Sequence, residues 1–399
     1  MSKNPHVKPL KGFDPKSALE VDESFVRLLK RGDDMLELSP EDASLLSGNS
    51  KSGKECGMLR TGGAIHSSFT KFELESGRTV FAACSIKGEV LLFEPDGDAM
   101  KEILKYSVQG SIYRDPVYID GILYCVTREG VAYAAETGLD EEKSGAGSRP
   151  GEIIWQKKME KGIFTSPVVK GKVVIITPAD GIYAFDAFNG PDRKIGEILW
   201  GVSINGVLST PVISSGMLFA GTEEKRLLAF DYAGNRMKKM WEYNLNGACR
   251  AMPHVSEVSG QVVAGTIEGA VFSLTRENGE FRWNFQVKAP VLSSVISVNT
   301  SAGEIFFFGA DNGFFYALDS RGKKLWEFRT KGKIRTEALV NEGVVYFGCE
   351  DNTLYGLDIR NGKQVFRFQA DGNIYTRPEV HDNRLYFCST DGYIHSVYL

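Results

Sequence analysis

The sequence predicts an all-β protein. The expected fold is an eight-bladed β-propeller of four-stranded antiparallel blades, closed by an N-terminal strand and preceded by a short helical N-terminal extension. Three observations predict it. A unit of about 40 residues recurs along the chain, the length of a propeller blade. All five tryptophans fall in one column of that unit. The last unit stops one strand short, and an unattached strand near the N-terminus supplies what is missing.

The unit is read most easily from GKIRTEALVNEGVVYFGCEDNTLYGLDIRNGKQVFRF (332–368). A Gly-led turn precedes a short strand, a second strand rich in Val, Tyr and Phe, a third that alternates, and an aromatic fourth. A proline or its equivalent marks the end of the first strand, at Phe69, Pro116, Pro167, Pro211, Pro253, Val295, Ala338 and Pro378. Between the second and third strands stand pairs such as Lys87-Gly88, Glu129-Gly130, Asp180-Gly181, Glu268-Gly269, Asn312-Gly313, Asp351-Asn352 and Asp391-Gly392; only Glu224-Lys225 departs. Such pairs suit two-residue type I′ hairpins, where φ is positive and Gly or Asn is tolerated. Trp155, Trp200, Trp241, Trp283 and Trp326 open the fourth strand, and Leu104 and Phe366 continue the column. A large ring at a fixed place in every blade is expected to pack between neighbouring blades rather than hold a cofactor.

The chain ends on STDGYIHSVYL (389–399), after a third strand. Near the other end, GKECGMLRTGGAIHSS (53–68) matches GKKLWEFRTKGKIRTE (322–337) position for position. Residues 53–61 therefore read as the fourth strand of the last blade, and closing the ring removes two exposed sheet edges. The propeller is assigned to residues 53–399 and the extension to 1–52. Within the extension, residues 14–34 read as a helix over 15–31, with Asp14 as N-cap, Pro15 at the first position and Gly32 as the stop. A second short helix starts at Ser39-Pro40, over 39–46. Two polar insertions, 136–152 and 187–197, enlarge adjacent third-to-fourth-strand connections and form a second candidate contact surface.

The stretches TSPVVKGKVVIITPADGIYAFD (165–186), STPVISSGMLFAGTEEKRLLAFD (209–231) and GADNGFFYALDSRGKKLWEF (309–328) resemble the PQQ-like β-propeller repeats named for the quinoprotein dehydrogenases. The resemblance covers about 53–399. Similar propellers occur in the outer-membrane assembly lipoprotein and at the C-terminus of aminoadipate-semialdehyde-dehydrogenase-type acyl-activating enzymes. What the dehydrogenases carry does not transfer. They stack quinone between a Trp and an adjacent Cys-Cys disulfide, and this sequence has no adjacent cysteines. No cofactor and no catalytic residue is expected.

Other functional classes are constrained by composition and motif. A net charge of −4 gives no electrostatic case for nucleic acid or an anionic membrane. The N-terminus lacks an apolar signal core, no stretch reaches a membrane span, and the six cysteines are scattered. These features predict a cytoplasmic location with reduced thiols. His6, His66, His254, His381 and His395 show no metal-ligand spacing, so no metal is expected. There is no P-loop, dinucleotide fingerprint or nucleophile elbow. GADNGFF is read as a hairpin turn, not a calcium loop.

One pair of columns varies chemically. Three positions before the proline column stand His66, Tyr113, Phe164, Leu208, Arg250, Leu292, Arg335 and Tyr375. One position before it stand Ser68, Asp115, Ser166, Thr210, Met252, Ser294, Glu337 and Arg377. Alternation places both columns on one face, facing the central channel. The candidate binding residues are thus His66, Tyr113, Arg114, Asp115, Phe164, Arg250, Arg335, Glu337, Tyr375 and Arg377, at the channel mouth. The structural alternative is that Arg250 and Arg335 pair with Asp115 or Glu337. The function expected is a non-catalytic platform for another protein or a multi-protein complex. The alternative is a small-molecule-binding or enzymatic propeller that uses the same mouth.

Overall fold

The computed structural model describes residues 51–139, 149–189, 194–232 and 237–399. The helices expected at 14–34 and 39–46 lie outside them, as do the middles of both enlarged connections. The described chain forms eight sheets, each built on four antiparallel strands, which run in sequence order from the inside out in blades 1 to 7. Blade 1 comprises Thr70–Glu73, Thr79–Cys84, Glu89–Asp96 and Ala99–Ser107. Blade 7 comprises Leu339–Asn341, Val344–Gly348, Thr353–Asp358 and Gln364–Gln369.

Burial follows position in the blade. Second strands such as Thr79–Cys84, Ile122–Val126 and Val344–Gly348 are buried at every residue, because neighbouring blades cover both faces. They accordingly read as unbroken apolar runs rather than alternating ones. The outermost strand Phe281–Gln286 instead buries Trp283 and exposes Phe281, Arg282 and Asn284.

Ring closure is as the sequence indicated. Blade 8 consists of Glu379–His381, Arg384–Cys388 and Tyr393–Tyr398, and its fourth strand is Glu55–Arg60. Met58 faces His395 and Arg60 faces Tyr393 across the antiparallel pair. Eight hydrophobic clusters sit between successive blades. An open array of eight blades has one interface fewer, and the cluster that makes up the difference joins Phe81 and Phe93 of blade 1 to Tyr386 and Ile394 of blade 8. One pairing was not anticipated. Lys51–Ser52 adds a short parallel strand to Gln364–Gln369 of blade 7, so ordered pairing begins before residue 53.

The tryptophan column has a two-sided explanation. Within the blade, Trp155, Trp200, Trp241, Trp283 and Trp326 lie opposite Ala134, Ala184, Ala229, Ser273 and Ala317 of the third strand, next to a bulge in the ladder. A large ring opposite a small residue fills the pleat without overpacking. Toward the next blade, Trp241, Trp283 and Trp326 donate from Nε1 to the carbonyls of Arg276, Ser320 and Ile359 at 2.9–3.0 Å. Gly279, Gly322 and Gly362 of those same turns lie against the indole faces. The column is a fixed contact between blades.

Two local expectations are corrected. The proline column does not end the first strand; it precedes it, since pairing begins at Val117, Val168 and Val212, just after Pro116, Pro167 and Pro211. Proline cannot donate to a ladder, so it marks strand entry here. The turns between second and third strands are not type I′. In seven of them only the last residue has positive φ, as at Gly88, Gly130, Lys225, Gly269 and Asn352, and in blade 3 neither Asp180 nor Gly181 does; Gly88 N–H bonds the Ser85 carbonyl at 3.0 Å. That is a type I turn followed by a left-handed residue. True type I′ pairs, with both φ positive, connect the first and second strands at Asp120-Gly121, Ser215-Gly216, Glu342-Gly343 and Asp382-Asn383.

Candidate functional site

The segments entering the eight innermost strands line a central channel with a cavity of about 1100 Å³. All ten candidate residues border it. They come together because each leads into the innermost strand of its own blade, on an extended segment and not on the strand itself.

The outer ring of the mouth is divided. On blades 8, 1, 2 and 3 the column supplies Tyr375, His66, Tyr113 and Phe164. The His66 ring stacks on Tyr375 at 5.0 Å between centroids and meets Tyr113 at 5.4 Å. Burial in this cluster pulls the His66 imidazole below its ordinary value, so its neutral form is favoured. Arg128 continues the arc from the adjoining turn of blade 2, its guanidinium 5.5 Å from the Tyr113 ring and 6.0 Å from that of Phe164. Phe164 is among the few exposed large apolar side chains described.

On the other arc stand Leu208, Arg250, Leu292 and Arg335. Both arginines are held by carboxylates, though not those expected. Arg250 bonds Glu223 through Nε at 3.0 Å and through a terminal nitrogen at 2.7 Å. Arg335 bonds Asp311 in the same forked way at 2.8 and 2.7 Å, and lies 3.1 Å from Glu350. These carboxylates come from second-to-third-strand turns on the same rim, which put them nearer than Asp115 or Glu337. The hydrogen bonds to Arg250 hold the Glu223 carboxyl below its usual range, against a smaller effect of burial.

The inner ring is largely structural. The Arg377 backbone N–H donates to Ser68 Oγ at 2.8 Å, that of Ser68 to Asp115 Oδ1 at 2.6 Å, that of Asp115 to Ser166 Oγ at 3.2 Å and that of Ser166 to Thr210 Oγ1 at 3.0 Å. Side chains of this column thus stitch blade to blade from 8 to 4. Arg377 also pairs with Glu337 at 3.0 Å and with Glu379. Burial pushes the Asp115 and Glu337 carboxyls upward; the Ser68 N–H opposes this at Asp115, and the Arg377 charge opposes it at Glu337.

Sequence reasoning missed Arg128, Glu223, Asp311 and Glu350; the signal was their place in the varying turn column of the rim. It also missed a cluster at the closing strand. Ser389 Oγ lies 2.9 Å from His395 Nε2, and His395 Nδ1 lies 2.7 Å from Glu55 Oε1. That is the connectivity of a nucleophile, base and orienting acid. Ser389 has no exposed surface, however, and its hydroxyl is engaged by Asp391, while the His395 ring is stacked on Phe387 at 4.9 Å. No substrate carbonyl can reach the hydroxyl. The cluster ties the N-terminal strand to the C-terminal one.

These features define a class: a closed, eight-bladed propeller of PQQ-like repeats with an aromatic and basic channel mouth. The comparisons carry this further. The family model for outer membrane protein assembly factor BamB matches residues 148–306 and 291–397, and the chain belongs to that family. BamB of Nitrosomonas eutropha is 29% identical over 181 residues, 44% of this chain and 41% of the relative. BamB of Burkholderia pseudomallei is 28% identical over 180 residues, 44% and 45% of the two chains. The aligned region thus spans under half the length of these curated relatives. Among solved structures, BamB from Moraxella catarrhalis superposes with a TM-score of 0.65 at 16% identity, over 87% of this chain and 100% of that one. Sqt1 of Saccharomyces cerevisiae gives 0.69 at 11% identity, over 88% and 99%. At such identities these structures establish the fold alone.

The cytoplasmic location expected from the sequence is corrected by this membership. The family and both relatives are described as outer membrane protein assembly factors, which points away from the cytoplasm. The physical reason for the error lies partly in the cysteines. Five of the six are buried and all are free. A thiol enclosed in a blade core meets no oxidant, so its reduced state does not report the compartment.

Proposed function

We propose that this chain is a non-catalytic binding propeller of the cell envelope, and that it engages a protein partner in outer-membrane protein assembly through its channel-mouth face. Family membership supports the setting. The observation that carries the reading is the mouth itself: an open rim on which His66, Tyr113, Phe164, Tyr375 and Arg128 gather aromatic and guanidinium surface, the residue types enriched at binding hot spots. A channel lined by such groups also suits a small molecule, and its volume keeps that as the second reading.

A photo-crosslinking amino acid at position 164, in the full chain in its native host, tests the first reading. The expected result is one dominant crosslinked protein from the envelope fraction, absent when the same probe is placed at Val258 on the far end of blade 5. Equal crosslinking from both positions, or none from 164, overturns it.

A further inference from the structure

The position two before the proline column is occupied by a short hydroxyl in six blades, at Ser67, Thr165, Ser209, Ser293, Thr336 and Thr376. All six are buried, and each hydroxyl donates to a carbonyl at or beside the end of the second strand of its own blade, at 2.8–3.4 Å. The column is a latch between the first two strands. Blade 5 has Ala251 there. Blade 2 has Arg114, which the latch does not require, and its side chain emerges into the channel.

Arg114 is uncommitted. The channel and rim carboxylates around it each have a partner: Asp115 takes the Ser68 N–H, Glu337 and Glu379 hold Arg377, Glu223 holds Arg250, and Asp311 and Glu350 hold Arg335. Among the described residues, neither Arg114 nor Arg128 forms an ion pair with any side chain. Arg114 faces channel water yet sits deep among protein atoms, so burial pulls its guanidinium below the ordinary value while Asp115 raises it. The Asp115 charge is felt at Arg114 but no carboxylate grips it in a fork, and a free guanidinium fork matches a carboxylate in geometry as well as charge.

We propose that Arg114 and Arg128 form a carboxylate-binding site in the channel mouth, which takes an acidic side chain or terminal carboxylate from an extended segment of the partner. The platform reading above supplies only the carrier of that carboxylate; the site itself rests on the broken latch column and the two unpaired guanidiniums. Arg128, held between Tyr113 and Phe164, offers its edge to the anion while the rings take an apolar neighbour in the same segment.

The test uses the full chain and three probes: a fluorescent hexapeptide alternating glutamate and tyrosine, its glutamine counterpart, and succinate. The expected result is saturable, salt-sensitive binding of the glutamate peptide, none of the glutamine peptide, and a loss of about tenfold or more in Arg114→Ser and in Arg128→Gln. Arg114→Ser restores the hydroxyl of the other blades, so its melting temperature should match or exceed that of the parent, which separates lost binding from lost fold. Arginine-dependent binding of succinate without the peptide keeps the carboxylate site and assigns it to a small molecule. Undiminished peptide binding by Arg114→Ser, equal binding of both peptides, or binding of no probe overturns the site. The crosslink from position 164 reports separately: if it survives in Arg114→Ser, the assignment of this site to the partner's carboxylate fails while the platform reading stands.

Discussion

Gly322 and Gly343 offer a matched pair of substitutions that isolates the blade-to-blade contact of the tryptophan column. Their backbones are nearly the same, with φ of 79° and 77°. Their surroundings differ. A Cβ on Gly322 would stand 2.6 Å from both Cδ2 and Cε3 of Trp283, whereas one on Gly343 would meet nothing within 4 Å. Replacing either by alanine places an L-residue in the left-handed region, at about 1–2 kcal/mol. Only Gly322→Ala also pushes on an indole that is 8% exposed and anchored through Nε1 to Gln261 and Ser320. Overpacking of that kind adds about 1–3 kcal/mol. Gly343→Ala should therefore cost about 1–2 kcal/mol and Gly322→Ala about 2–5 kcal/mol. Urea denaturation followed by tryptophan fluorescence measures both, with the m-value checking that the transition stays comparable. Equal losses would show that the indole yields freely, and the account of the column as a fixed contact would be wrong.

Three further predictions concern closure, the rim and pH. Deleting residues 1–61 removes the fourth strand of blade 8 and should give aggregated or partly unfolded protein, while deleting 1–45 should leave a cooperative fold; like melting of both truncations refutes closure. Arg250→Ala with Arg335→Ala strands Glu223 and Asp311 without their forked partners, so the double variant should lose some stability and also weaken partner capture; unchanged capture would make both arginines structural only. The Glu223 carboxyl is depressed in the folded state, so its contribution is present in full above the unfolded value of 4.5 and lost as pH falls through the lower folded value. Since both partners are well exposed, Glu223→Gln should cost less than about 1 kcal/mol at pH 7, and the difference from the parent should vanish in acid. A difference that persists undiminished at low pH removes the ion pair as its cause.

Most of the ring was legible because a repeat reads itself several times over. Any one blade is an ambiguous set of short strands, but columns shared across the chain fix the register of the whole, and Arg60-Thr61 falling on Arg329-Thr330, with Gly63 on Gly332 and Ile65 on Ile334, is enough to place the closing strand. What the repeat did not reveal were features set by neighbours in space. The type I′ turns sit between the first and second strands, where Asp120-Gly121 and Glu342-Gly343 have the required composition. The Gly-containing pairs of the next turn look alike in sequence but need only one positive φ. The two channel-facing columns of the mouth were readable from alternation, whereas Arg128 reaches it from a turn and Arg114 from the column between them. The partners of Arg250 and Arg335 were not, because Glu223 and Asp311 reach them from the preceding blade's turn, a contact no single column contains.

Under the proposed function, the residues that recognise a partner are departures from the repeat. Residues that build a ring must satisfy the same contact eight times, so they converge: tryptophan opposite alanine or serine, a hydroxyl on the second-strand carbonyl, a proline at strand entry. A ligand or partner meets the ring once and in one orientation, so whatever recognises it must break the symmetry. The aromatic residues of the outer ring occupy blades 8, 1, 2 and 3, and the two paired arginines occupy blades 5 and 7. Arg114, the one long side chain in a column of buried hydroxyls, lies in the middle of the aromatic arc. The mouth therefore has a direction, from an apolar and cationic side to a side whose charges are already neutralised. A segment lying across it would meet different chemistry at its two ends, and could bind in only one sense.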